Sequence, residues 1–82
     1  MTIKLSRFNE VKGQTINIEF RNIKDVHLRE DVIYIVPAYD IDDGTISDLT
    51  TAGWFIDSQK IDNHTLISVR QVINQKITFH VY

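Results

Sequence analysis

Thr15-Ile16-Asn17-Ile18-Glu19-Phe20-Arg21 decides the fold class. In an extended chain, Ile16, Ile18 and Phe20 fall on one side and Thr15, Asn17, Glu19 and Arg21 on the other. Strict alternation with a period of two is the pattern of a strand with one buried face. The C-terminal stretch repeats it: Ile77, Phe79 and Val81 alternate with Thr78, His80 and Tyr82. The N-terminus does so more weakly, with Ile3 and Leu5 opposite Lys4 and Ser6.

Composition points the same way. Thirteen of the 82 residues are isoleucine, seven valine and seven threonine, against four leucines and two alanines. β-branched side chains are stiff at χ1 and suit a pleated surface, whereas helices favour Ala, Leu, Glu and Lys.

Working outward from 15–21, Gly13 is the turn residue that joins the first two strands, since it adopts positive φ without strain. Residues 32–36 form a continuous apolar run, Val-Ile-Tyr-Ile-Val, which predicts a central strand covered on both faces with Tyr34 in the core. Pro37 ends its ladder donation. Val26 and Leu28 precede it, and Arg29-Glu30-Asp31 reads as a hairpin tip. Residues 54–61, 65–73 and 76–82 read as a closing meander turned at Asp62-Asn63 and Asn74-Gln75. Leu66, Val69, Val72 and Ile73 would also line a helix, but four of the eight residues from 66 to 73 are Ile or Val, which selects a strand. A short helix is expected over 46–52. Thr45 is its candidate N-cap, Asp48 sits three residues on, and Gly53 suits the left-handed position after its end. Only Ile46 and Leu49 would anchor it.

The expectation is one mostly β domain over residues 1–82: a small antiparallel barrel or curled sheet of six or seven short strands, SH3-like or OB-like. The chain has no cysteine, so it holds neither a disulfide nor a thiolate metal site. No stretch approaches the roughly 20 apolar residues of a membrane span, and the N-terminus lacks the apolar run of a signal peptide. The expected location is the cytoplasm of a bacterial host cell.

No motif carries catalysis. Asp43-Gly44-Thr45-Ile46-Ser47 resembles part of an EF-hand loop, but with Gly44 at loop position 6 the ligand positions 1, 3 and 12 fall on Tyr39, Ile41 and Thr50. Asp25 with His27, and Asp62 with His64, can be drawn as acid–base or metal couples, yet no third partner stands at a recognisable spacing. The three glycines, at 13, 44 and 53, are too scattered to cradle a phosphate. The chain is therefore not expected to be an enzyme, and no catalytic residue, metal ligand or cofactor is assigned.

Charge is the asymmetry that remains. Residues 1–30 carry a net +2, residues 31–62 a net −6 and residues 63–82 a net +2. From 40 to 57 there are five aspartates and no basic residue, and Tyr39 and Trp54 bracket the cluster. Aspartate also serves turns and caps, so a solvated loop accounts for part of this. As a function, clustered like charge steers association with an oppositely charged partner, and aromatics beside a charged rim are the composition of an interface anchor. The expected partner-binding residues are Tyr39, Asp40, Asp42, Asp43, Asp48, Trp54 and Asp57.

The reading is a non-enzymatic protein-binding accessory module of phage or mobile-element type that engages a partner with a basic surface. In its most specific form it inhibits a nucleic-acid-binding host defence enzyme with carboxylates in the place of phosphates, by analogy of size and charge with some anti-CRISPR proteins. One alternative is a structural subunit of a phage particle that assembles with itself through the terminal strands, 2–8 and 76–82. Another is a small nucleic-acid-binding barrel using Arg7, Lys12, Arg21, Lys24 and Arg29, which the net charge of −2 disfavours because phosphate neutralisation dominates such affinity.

Overall fold

Two antiparallel sheets enclose a single core in the structure, a computed structural model that describes residues 1–71 and 76–82. The first sheet is made of β1 (Ile3–Asn9), β2 (Gln14–Phe20) and β7 (Ile77–Val81), in the order β2-β1-β7. The second has the order β3-β4-β6-β5, from β3 (Ile23–Arg29), β4 (Val32–Pro37), β5 (Ile56–Ile61) and β6 (His64–Arg70). One helix, α1 (Asp43–Thr51), joins β4 to β5. The mostly β expectation therefore holds, with seven strands among the described residues. They do not close into a barrel: no ladder joins β7 to the second sheet.

The register sets the faces. Leu5 lies opposite Ile18 on β2 and Phe79 on β7, and Ile3 opposite Phe20 and Val81, so the alternating isoleucines read from the sequence share one inward face. Ile33 and Ile35 of β4 and Ile67 and Val69 of β6 answer them from the second sheet, each fully buried. The sheets meet at a corner. Ile3 pairs with Phe20, but Met1 exchanges backbone bonds with Ile23, so one extra residue is accommodated between them. Asn22 takes it up at φ 56°, a conformation that asparagine tolerates better than most residues. Gly13 turns the β1–β2 hairpin at φ 64°, as its position requires. Asp62 and Asn63 are both left-handed, at φ 50° and 64°, which makes the β5–β6 link the two-residue turn whose twist matches its strands.

Three expectations need correction. Residues 32–36 form a strand central to its sheet but not one buried on both faces. Ile33 and Ile35 enter the core, while Val32, Tyr34 and Val36 are half-buried on the outer face, because the second sheet packs on one side only. The terminal strands pair with each other inside the chain, and β1 has a neighbour on both sides, so residues 2–8 offer no free edge. The helix starts three residues earlier than 46, because Asp42 and not Thr45 is its cap. Asp42 holds an extended backbone and its Oδ1 accepts the Gly44 N–H at 2.6 Å. Aspartate caps better than threonine, and Asp43 in the first turn adds a favourable charge at the positive end of the helix. The strand selected for 65–73 is present as His64–Arg70. Val72, Ile73 and the Asn74-Gln75 turn lie outside the described residues.

No residue of α1 is fully buried. Ile46 and Leu49 pack against the core from its edge. With so little area covered, the cap matters. Asp42→Ala is expected to lower stability by about 0.5–2 kcal/mol and Asp42→Asn by much less, since asparagine caps equally well. Thermal unfolding of the two variants checks this.

The C-terminal end of α1 is held by a side chain from the other sheet. Gly53 sits at φ 96°, the left-handed position after the helix, and the Trp54 N–H closes back on the Leu49 carbonyl. The last turn of α1 contains no basic residue. Arg7 of β1 supplies the cation instead. Its Nη2 donates to the Ala52 carbonyl, and its guanidinium lies 5.0 Å from the centre of the Trp54 ring. A cation at the negative end of a helix and over an indole face is favourable on both counts. Gly53 is required here for its φ, and a Cβ would also stand 2.9 Å from Arg7 Nη2, so the guanidinium would have to shift to admit one.

Candidate functional site

The aspartates singled out by the sequence do not form one patch. Tyr39, Asp40 and Asp42 come together at a cleft of about 480 Å³ between the end of β2 and the start of α1. Its floor is apolar: Ile18 and Phe20 from β2, Ile41 from the connecting loop and Leu49 from α1. Its rim carries Glu19, Asp40 and Asp42. Asp43 and Asp48 are exposed on α1 and do not line this cleft. Asp57 is on the outer face of β5, opposite Ser68, where its Oδ1 accepts the Ser58 N–H. Trp54 is only 2% exposed and lies in the core. It does not present an anchor to a partner, because the apolar pair Trp54 and Ile56 carries the chain from α1 back into the core.

Each rim residue is placed by a local reason. Glu19 follows from the period-two pattern, which turns it away from the core between Ile18 and Phe20. Asp42 is fixed by capping α1. Asp40 accepts the Thr65 hydroxyl at 2.9 Å, which satisfies a buried threonine and ties the loop to β6. Its other oxygen stands 3.7 Å from the Lys60 ammonium, and Glu19 stands 3.5 Å from Arg21. Both ion pairs are exposed, so each contributes little and is easily exchanged for a partner's cation. Asp42 has no cationic neighbour among the described residues.

Glu19 was not anticipated as part of the site. It lies in the basic first third of the chain, and nothing in a single sequence says that β2 ends beside α1. The two Asp–His couples fare differently. His27 Nε2 is 2.8 Å from Asp25 Oδ2, with both side chains exposed on β3, whereas Asp62 and His64 form no ion pair. Among the described residues, no three His, Asp or Glu side chains stand close enough to hold a metal ion.

A second concavity, of about 770 Å³, lies on the outer face of the second sheet, where Val32, Tyr34 and Leu66 are flanked by Phe55, Asp57 and Arg70. Among the described residues, no helix is long and apolar enough to cross a membrane. Comparison with protein-family models, with curated proteins and with solved structures gives no significant match.

Proposed function

We propose that the chain is a non-enzymatic protein-binding module whose cleft between β2 and α1 receives a basic segment of a partner protein. The observation that carries this reading is the juxtaposition of an apolar floor, Ile18, Phe20, Ile41 and Leu49, with three exposed acidic residues, Glu19, Asp40 and Asp42, in the same lining. Lysine and arginine have the complementary form, an aliphatic stem that lies on apolar surface and a charged head that reaches a rim. A nucleic-acid ligand is disfavoured, since the rim and the net charge of −2 both repel phosphate. Proteins that bind nucleic acid are rich in such basic segments. Inhibition of one, with Glu19, Asp40 and Asp42 standing where phosphates would, is the specific form of the proposal and fits an accessory protein of a phage or mobile element. We read the two sheets, turned into each other at Asn22, as a partly open small barrel of SH3-like or OB-like kind.

The test uses a random peptide library displayed on phage and panned against the full chain. The control is the combined Glu19→Gln, Asp40→Asn and Asp42→Asn variant, which keeps the cap and the Thr65 bond while removing the charge. Wild type is expected to enrich sequences with Lys or Arg beside apolar residues. These should bind the variant about 10–100-fold more weakly, as roughly 0.5–1 kcal/mol per exposed charge implies. Enrichment of neutral or acidic sequences, or equal binding to the variant, would contradict the reading.

A further inference from the structure

Four strands lie at sheet edges, and three of them are guarded. On β3 the register shifts between Ile23 and Asp25, and the Asp25 carboxylate occupies the Val26 N–H at 2.9 Å. On β5 the Asp57 carboxylate does the same to the Ser58 N–H, and Lys60 lies on the same face as the buried Ile56. β2 carries the charged Glu19 near its end. Bulges and charged side chains are among the means by which proteins blunt an edge. Among the described residues, β7 has none of them. It pairs with β1 in an unbroken register, contains no proline, aspartate, glutamate, lysine or arginine, and pairs on its other side with no described residue.

We propose that β7 pairs with the β7 of a second copy of this chain, antiparallel about a two-fold axis through Phe79, joining two three-stranded sheets into one of six. This is independent of the cleft. The register follows from which backbone groups are free. Thr2 and Tyr82 exchange both of their backbone bonds, so Tyr82, His80 and Thr78 point their N–H and C=O groups at β1. The alternate residues, Ile77, Phe79 and Val81, point theirs at the open edge. With Phe79 facing its own copy, Ile77 faces Val81 and all three residues find partners, three pairs of two bonds each. A shift by one residue either way leaves only two such pairs. One of these shifts also sets His80 against His80, and the other sets Lys76 against His80.

The side chains agree with the same register. Ile77, Phe79 and Val81 continue the inward apolar row, which adds cover for Val81, now 49% exposed. On the outer face Thr78 meets His80, and Lys76 meets the ring of Tyr82, which is 67% exposed. No like charges meet. A neutral, self-complementary edge has little to attract a strongly charged partner and nothing to repel its own copy.

The absence of cysteine allows a direct test with single-cysteine variants of the full chain. Thr78 and His80 face each other across a non-hydrogen-bonded pair, where Cα atoms about 4.5 Å apart suit a disulfide. Thr78→Cys mixed with His80→Cys under oxidised glutathione is expected to give a cross-linked dimer, and either variant alone to give little. Light scattering after gel filtration should read about twice the 9.6 kDa chain mass for wild type. For Thr78→Lys, which places a charge on an exposed edge position, it should read the chain mass. A wild-type mass of 9.6 kDa at millimolar concentration, or cross-linking of either variant alone as efficient as in the mixture, would overturn the proposal.

Discussion

Trp54→Ala is expected to lower the stability of the domain by about 3–5 kcal/mol, the usual cost of emptying a buried aromatic site. Trp54 is 2% exposed, closes the end of α1 through its N–H to Leu49, and lies under the guanidinium of Arg7. Removing it opens a cavity where the helix, the first sheet and β5 meet. A domain of this size holds roughly 4–12 kcal/mol in all, so the variant should be close to unfolding. Trp54→Phe should be far milder. The indole Nε1 is buried without a hydrogen-bond partner, so phenylalanine fills most of the volume and removes an unsatisfied donor. Urea unfolding of both variants checks the order. A Trp54→Phe loss equal to that of Trp54→Ala would show that the indole nitrogen has a partner after all.

Arg7→Ala is expected to cost about 2–4 kcal/mol. Two terms add: a hydrogen bond from a charged donor to the Ala52 carbonyl, about 1.5–3 kcal/mol, and a desolvated cation–π contact, about 2 kcal/mol. Opposing them is the cost of keeping a cation that is only 4% exposed, with no described carboxylate beside it and its Nε unsatisfied. Arg7→Met separates these effects. Methionine keeps much of the volume of the stem and asks for no hydrogen bond, so it should fall within about 1 kcal/mol of wild type. A combined Arg7 and Trp54 cycle should show coupling of about 0.5–2 kcal/mol, because each residue is the other's partner. Additive losses would mean that the ring and the guanidinium do not stabilise one another.

Neither residue's role was legible in the sequence. Arg7 read as one member of a basic stripe, yet its position opposite Ile16 and Ile77 turns it inward. The alternation around it, Ile3 and Leu5 buried and Lys4 and Ser6 not, did contain that direction. A charged residue in phase with a buried row was the available signal. The strands were legible because period two survives in one dimension: 15–21, 32–36 and 76–82 each coincide with a strand to within a residue at either end, and Gly13 and Asp62-Asn63 stand at turns. Gly53 was equally legible, since few residues other than glycine adopt φ 96°. What failed depended on neighbours in space. The apolar residues on both faces of 32–36 suggested two covered faces, but the fold covers only one. The cluster of five aspartates divided among a cap, a helix, a loop and an outer sheet face, because residues close in sequence were sent to different surfaces. The site drew its third acidic residue, Glu19, from 21 residues before Asp40 in sequence.

The most direct test of the central claim, an acid-rimmed cleft for a basic segment, is a nuclear magnetic resonance titration of the ¹⁵N-labelled chain with a short peptide alternating lysine and leucine. Its glutamate–leucine counterpart is the control. With the lysine peptide, amide shifts should concentrate at Ile18, Glu19 and Phe20, at residues 39–42 and at Leu49, and they should weaken as salt is raised. The control should move none of them. Shifts centred instead on Tyr34, Leu66 and Ser68, or an equal response to both peptides, would contradict the account.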